Sequence, residues 1–184
     1  MSRKATKTRN YIRYICELAN WNEKILYSRA RMVLEIYLHV CWFTESRAEE
    51  VREELLDMGR GQLDGALTYL ETFAPDEARE HFEEKVRGLF ETKWMTELVQ
   101  WALLRIREYP CKGELYCNIL SKCYLSQFDY RETELLELLN MERSSYYDRK
   151  KEAILLFGLA LWGYAIPKLK GKTGLADEWW RSVG

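Results

Sequence analysis

The stretch "RETELLELLNMERSSYYDRKKEAILLFGLALWG", residues 131–163, constrains this chain more than any other. A short leucine-rich segment breaks at Asn140-Met141-Glu142. The chain then restarts in serines, tyrosines and basic residues before an apolar run over residues 154–166. Leucines in steps of three and four predict a helix over residues 132–139, with Leu135, Leu136, Leu138 and Leu139 available for burial. Asn140 tolerates the left-handed backbone that turns a helix end, and Met141 supplies an apolar plug between the two helices. Ser144 or Ser145 caps or begins the second helix, which carries Tyr146, Ala153 and Phe157 on one face. Its opposite face carries Arg143, Ser144, Tyr147, Asp148 and Lys151.

The rest of the chain follows the same period. Tyr11, Ile12, Ile15, Cys16 and Leu18 predict a helix over residues 8–18. After "ANWN", Ile25, Leu26, Ala30, Met32, Val33, Ile36, Tyr37 and Val40 predict another over residues 22–43. Thr44 or Ser46 with Glu49 offers a capping-box start for a third, which ends at the glycines of "MGRGQ". A fourth holds Leu63, Ala66, Leu67, Leu70 and Phe73, and Pro75 followed by acidic residues opens a fifth. "WMTELVQWALLRIREYP" is an amphipathic helix stopped by Pro110, "ELYCNILSKCYL" is another, and "GKTGLADEWWRSVG" reads as a tail. No stretch alternates as a strand does. The expected architecture is all-α: a helical bundle with a C-terminal helix-turn-helix. Pro110 marks the division between an N-terminal helical domain (residues 1–110) and a helix-turn-helix domain with a long final helix and tail (residues 111–184).

A chain of 184 residues that is 47% hydrophobic and 31% charged is composed as a folded protein. Its net charge of -1 argues against a protein that coats nucleic acid indiscriminately, yet the charge is unevenly spread. Five basic and no acidic side chains fall in the first thirteen residues, residues 45–93 are acidic, and basic clusters return in the last third. The basic N-terminus lacks the apolar segment of a signal peptide, and the apolar run over residues 154–166 is too short to span a bilayer. The expectation is a soluble cytoplasmic protein without a membrane partner. An odd number of cysteines, five, argues against a disulfide framework. Cys111, Cys117 and Cys123 recur every six residues, which is not zinc-site spacing, and neither His39 nor His81 lies near them.

Enzyme chemistry finds no foothold. There is no Gly-rich phosphate loop, no GxSxG, no HExxH and no cysteine paired with a nearby histidine. The carboxylates Glu77, Glu80 and Glu84 surround His81, but a di-iron helix bundle needs a second such set, and His39 has no glutamate three residues before it. A solvated acidic face explains the cluster. The chain is read as a non-enzyme with no cofactor and no metal site.

A short supporting helix, a tight turn, and a helix whose N-terminal half is polar and outward is the layout of a DNA-reading helix-turn-helix. "TELLELLNMERSSYYDRKKEAI" resembles the last helix pair of sigma-70 region 4. With its continuation "LLFGLALWG" it is similar to the phage late-gene transcription regulators of the ArpU-like class, over residues 115–163. The resemblance implies a sequence-specific DNA-binding transcriptional regulator of phage or prophage origin, acting on double-stranded DNA with residues 143–157 in the major groove. The motif's apolar positions match Leu135, Leu139, Met141 and Tyr146, and its outward positions match Arg143, Ser144, Tyr147, Asp148 and Lys151. Arg143 and Lys151 would donate to guanine edges or phosphates, Ser144, Ser145 and Tyr147 would meet bases or backbone, and Arg149 and Lys150 would hold phosphates. The chain departs from the motif at three points: Leu136 replaces a small residue, Lys150 an apolar one, and Asp148 puts a carboxylate where it would accept from a cytosine amino group. RNA polymerase or a second copy of the chain is the further partner expected for the apolar final helix. The competing expectation is a non-enzymatic helical interaction or assembly module. A DNA reader should show a continuous positive surface around residues 143–151.

Overall fold

Left-handed backbone sets three of the helix boundaries. Among the described residues, Asn20, Lys112 and Asn140 are the non-glycine positions with positive φ, at 55°, 64° and 48°. The computed structural model describes residues 5–45, 60–73, 80–82, 84 and 93–172. Within these the chain forms α1 (Lys7–Leu18), α2 (Glu23–Glu45), α3 (Arg60–Thr72), α4 (Lys93–Arg107), α5 (Gly113–Leu120), α6 (Glu132–Leu138), α7 (Arg143–Ala160) and α8 (Ile166–Lys172). A widened π turn, Ser121–Leu125, extends α5, and another, Leu161–Ala165, joins α7 to α8. No strand occurs among the described residues, as the periodicity predicts. The capping pattern at Ser46 and Glu49, the start at Pro75, Glu77 and the tail from residue 173 lie outside them.

The helix α7 sits at the centre. From Ala153 to Phe157 it is buried on every side, because five successive apolar residues leave no polar face to turn outward. Helices α1, α2, α4 and α5 all pack against it. One core runs from Ile12 in α1 through Leu34, Leu98 and Ile119 to Leu169 in α8, so the chain on both sides of Pro110 shares the same interior. The helix Arg143–Gly171 has the length and apolarity to cross a membrane, but 67% of its most apolar window is buried in the fold, as in a core helix.

The last turn of α3 is satisfied by other helices rather than by its own cap. Trp162 Nε1 donates to the Leu70 carbonyl at 2.9 Å, and Arg29 donates to those of Phe73 and Glu71 at 2.6 and 2.8 Å. Lys170 pairs with Glu71 at 2.7 Å. Burial holds the Arg29 guanidinium below its ordinary value, and that cost is offset by the two carbonyls and by the Phe73 ring 5.4 Å away.

The structure corrects several side-chain placements. Tyr11, Leu18 and Leu138 are exposed; the inward faces of α1 and α6 are carried by Ile12 with Cys16 and by Leu135. Ser144 and Ser145 do not cap α7: its N-cap is Glu142, whose side chain makes no capping bond. A cap that the periodicity missed is Thr6, which accepts from the Arg9 amide at 3.0 Å and starts α1.

Candidate nucleic-acid interface

The turn between α6 and α7 is closed by two nested backbone bonds. Asn140 N–H donates to the Glu137 carbonyl at 3.1 Å and Met141 N–H to that of Leu136 at 3.0 Å, the Schellman arrangement around a left-handed residue. The same pair of bonds recurs at Asn20 after α1. Met141, Leu136 and Leu139 pack partly buried against the core, and Leu135 and Tyr146 are buried within it. Tyr146 shares a hydrogen bond with Cys123 Sγ at 3.0 Å, and burial together with that bond pushes its hydroxyl far above the ordinary tyrosine value.

With Tyr146 inside, helical geometry turns Arg143, Ser144, Tyr147, Asp148 and Lys151 to solvent, and all five are exposed. These are the five residues that the helical period places on the outward face. Ser145 and Lys150 are half-buried, with the Lys150 ammonium 5.2 Å from the Tyr124 ring and 5.9 Å from that of Tyr146. Lys151 stands 5.9 Å from the Tyr27 ring and Arg143 stands 6.0 Å from that of Tyr147. Three cations of α7 therefore lie within 6.0 Å of tyrosine rings, each contact a modest attraction at an exposed or half-buried site.

Carboxylates interrupt this cationic surface. Glu132 accepts from Arg143 Nε at 2.6 Å through one oxygen and from the Tyr147 hydroxyl at 2.9 Å through the other. Arg143 is 72% exposed, so this pair is screened and weak, and a phosphate or a guanine edge would compete for the guanidinium. Glu142 and Asp148 are also exposed. The surface around residues 143–151 is mixed in sign, not the continuous positive surface expected of a DNA reader, because Glu132, Glu142 and Asp148 lie among the cations.

Arg149 takes a different place from the one the sequence suggests. Its guanidinium points inward, donating at 2.7 Å to Glu152 and at 3.2 Å to the Tyr116 hydroxyl. Burial lowers its proton affinity, but the Glu152 carboxylate more than restores it, and the net shift is upward. Glu152 is 4% exposed and also receives the Tyr116 hydroxyl at 2.7 Å and the Thr6 hydroxyl; Tyr116 further pairs with Thr8 at 3.0 Å. Burial pushes Tyr116 up to about 12. The network joins α1, α5 and α7 beneath the exposed turns. Sequence reasoning missed it, although the signal is present: Glu152 heads a run with no other charge before Lys168.

No family model, curated protein or solved structure matches the chain.

Proposed function

We propose that the protein is a helix-turn-helix DNA-binding regulator that presents the first turns of α7 to the major groove. The observation that carries this reading is the division of α7. Its N-terminal turns expose Arg143, Ser144, Tyr147, Asp148 and Lys151, while its remainder is locked in the core. A reading helix needs such an anchor, because base contacts discriminate only when side chains are held in register. Arg143 and Lys151 are the donors to guanine edges or phosphates, Ser144 and Tyr147 meet bases or backbone, and Asp148 accepts from cytosine. Lys150 holds phosphate alongside Ser145, and Arg149 acts from behind by fixing α7 to α5. The ArpU-like resemblance of residues 115–163 supports the same assignment, with a phage or prophage origin and a cytoplasmic site of action.

The test is fluorescence anisotropy with duplexes selected from a random pool, beside unselected duplex, at two salt concentrations. Arg143→Ala and Lys151→Ala should each weaken the selected duplex by roughly 1–3 kcal/mol where a base contact is lost. A lost phosphate contact should instead weaken all duplexes alike and reduce the salt slope by about one. Failure of the wild-type protein to bind either duplex at low salt would sink the reading. A second reading, a helical interaction module that binds protein, is favoured by Glu132, Glu142 and Asp148 among the cations.

A further inference from the structure

On the outer side of α6 lies a shallow groove of about 540 Å³ lined by Phe128, Asp129, Tyr130, Glu134, Glu137 and Leu138. Two of its residues are large apolar side chains left in water: Phe128 is 74% exposed and Leu138 is 57% exposed. Both stand against the ordinary economy of the fold. The helix α6 is only seven residues long and has a buried leucine, Leu135, to anchor it. The groove has walls: Phe128 and Tyr130 hold each other with ring centroids 6.2 Å apart, and Tyr130 is braced by Lys122 at 5.3 Å. On α6, Glu134 is tied down by accepting from the Arg131 amide at 2.9 Å, which fixes one carboxylate of the rim. Asp129 and Glu137 make no ion pair with any described residue.

We infer that this groove is a docking site for a basic amphipathic segment of a partner protein, which inserts one or two apolar side chains between Phe128 and Leu138 and sets lysines or arginines against Asp129, Glu134 and Glu137. The charge of the rim selects the occupant. Three carboxylates line the opening against one neighbouring ammonium, Lys122 over the Tyr130 ring, so phosphates of nucleic acid and anionic lipid headgroups are disfavoured, whereas an apolar segment flanked by cations satisfies both the rings and the rim. The volume accommodates a few side chains. The site is separate from the exposed side chains of α7, so it stands whether or not α7 reads DNA.

The experiment uses the full chain, isotopically labelled for amide NMR, titrated with a synthetic amphipathic lysine–leucine helix. A leucine-free lysine peptide and an acidic analogue of the helix serve as controls. The amides that shift should cluster at residues 128–138. Phe128→Ser with Leu138→Ser should lower affinity for the amphipathic helix by at least about tenfold, and Glu137→Lys should lower it further at low salt. Both changes are at exposed positions, so the helical circular dichroism should be unaltered. Arg143→Ala with Lys151→Ala should leave peptide binding as it is, which separates this site from the proposed DNA surface. Three results would overturn the inference: equal affinity for the leucine-free peptide, displacement of the helix by duplex DNA from the same amides, or concentration-dependent self-association abolished by Phe128→Ser. The last would make the occupant a second copy of the chain.

Discussion

Glu152 is a carboxylate with both oxygens engaged and almost no contact with water, so its neighbours rather than the solvent hold its charge. Removing it leaves Arg149 with a partly buried guanidinium and no counter-charge. Glu152→Ala is expected to cost about 3 kcal/mol, read as a lowered urea midpoint, since breaking a buried pair by deleting one partner is the expensive case. A change under 0.5 kcal/mol, on the order of an ordinary surface substitution, would show that the network carries no stability. Tyr116 gives the same network a pH signature. Its hydroxyl titrates near 10 in the unfolded chain and at about 12 in the folded one, so the folded state holds the proton more tightly. The stability this contributes is complete below pH 10 and is lost as pH rises toward 12. Tyr116→Phe should remove up to about 1.4 kcal/mol per pH unit from the alkaline decline in that window. An identical decline in the variant would assign the loss to other tyrosines. At this scale the sequence was legible only in part. The period that turned Arg143, Tyr147 and Lys151 outward is geometry, and it held. Whether Arg149 faces phosphate or Glu152 depends on Tyr116 and Thr6, far away in the chain, and no local pattern encodes that meeting.

Between elements, the turn after α6 was readable because it rests on backbone chemistry that one residue supplies. Asn140 at φ 48° occupies a region that side chains with a Cβ enter at a cost, and asparagine enters more readily than most. Asn140→Gly should be neutral or slightly stabilising, while Asn140→Val should cost about 1–2 kcal/mol, both measurable by thermal melting. A stable valine variant would mean that the turn does not require its left-handed residue. The crossing of α2 and α7 was not readable, since it depends on one missing side chain. A Cβ at Gly158 would lie 2.9 Å from Leu26 Cδ1 and 3.2 Å from Ala30 Cβ, inside a region where Leu26 and Ala30 are buried. Helical periodicity marks both partners as core but does not say that their backbones approach this closely. Gly158→Ala should therefore destabilise by about 1–3 kcal/mol despite the better helix propensity of alanine, because the packed interior has no slack. A stabilised variant would show that α2 moves aside.

For the molecule as a whole, the division at Pro110 is where sequence and packing part most clearly. Composition changes there and the helix before it ends, which is what a boundary looks like along a chain. In space, α7 is wrapped by α1, α2 and α4 from before the proline as well as by α5 after it. Trp162 reaches the Leu70 carbonyl, and Thr6 reaches Glu152, so polar as well as apolar contacts cross the division. A fragment of residues 111–184 would expose Ile154, Leu155, Phe157 and Leu161, each fully or almost fully buried in the intact chain. Each would forfeit up to roughly 1.5–3 kcal/mol of burial. Together these losses, up to about 6–12 kcal/mol, are comparable to the 5–15 kcal/mol or so by which a typical domain is stable. The expected outcome is that the fragment is largely unfolded or aggregated by circular dichroism and binds no duplex that the full chain binds. Correspondingly, the full chain should unfold in urea with coincident transitions by circular dichroism and tryptophan fluorescence, since one shared core unfolds as one unit. A folded, helical, DNA-binding fragment, or two separated transitions, would show instead that α5 to α8 stand alone and that the N-terminal helices are an independent domain laid against them.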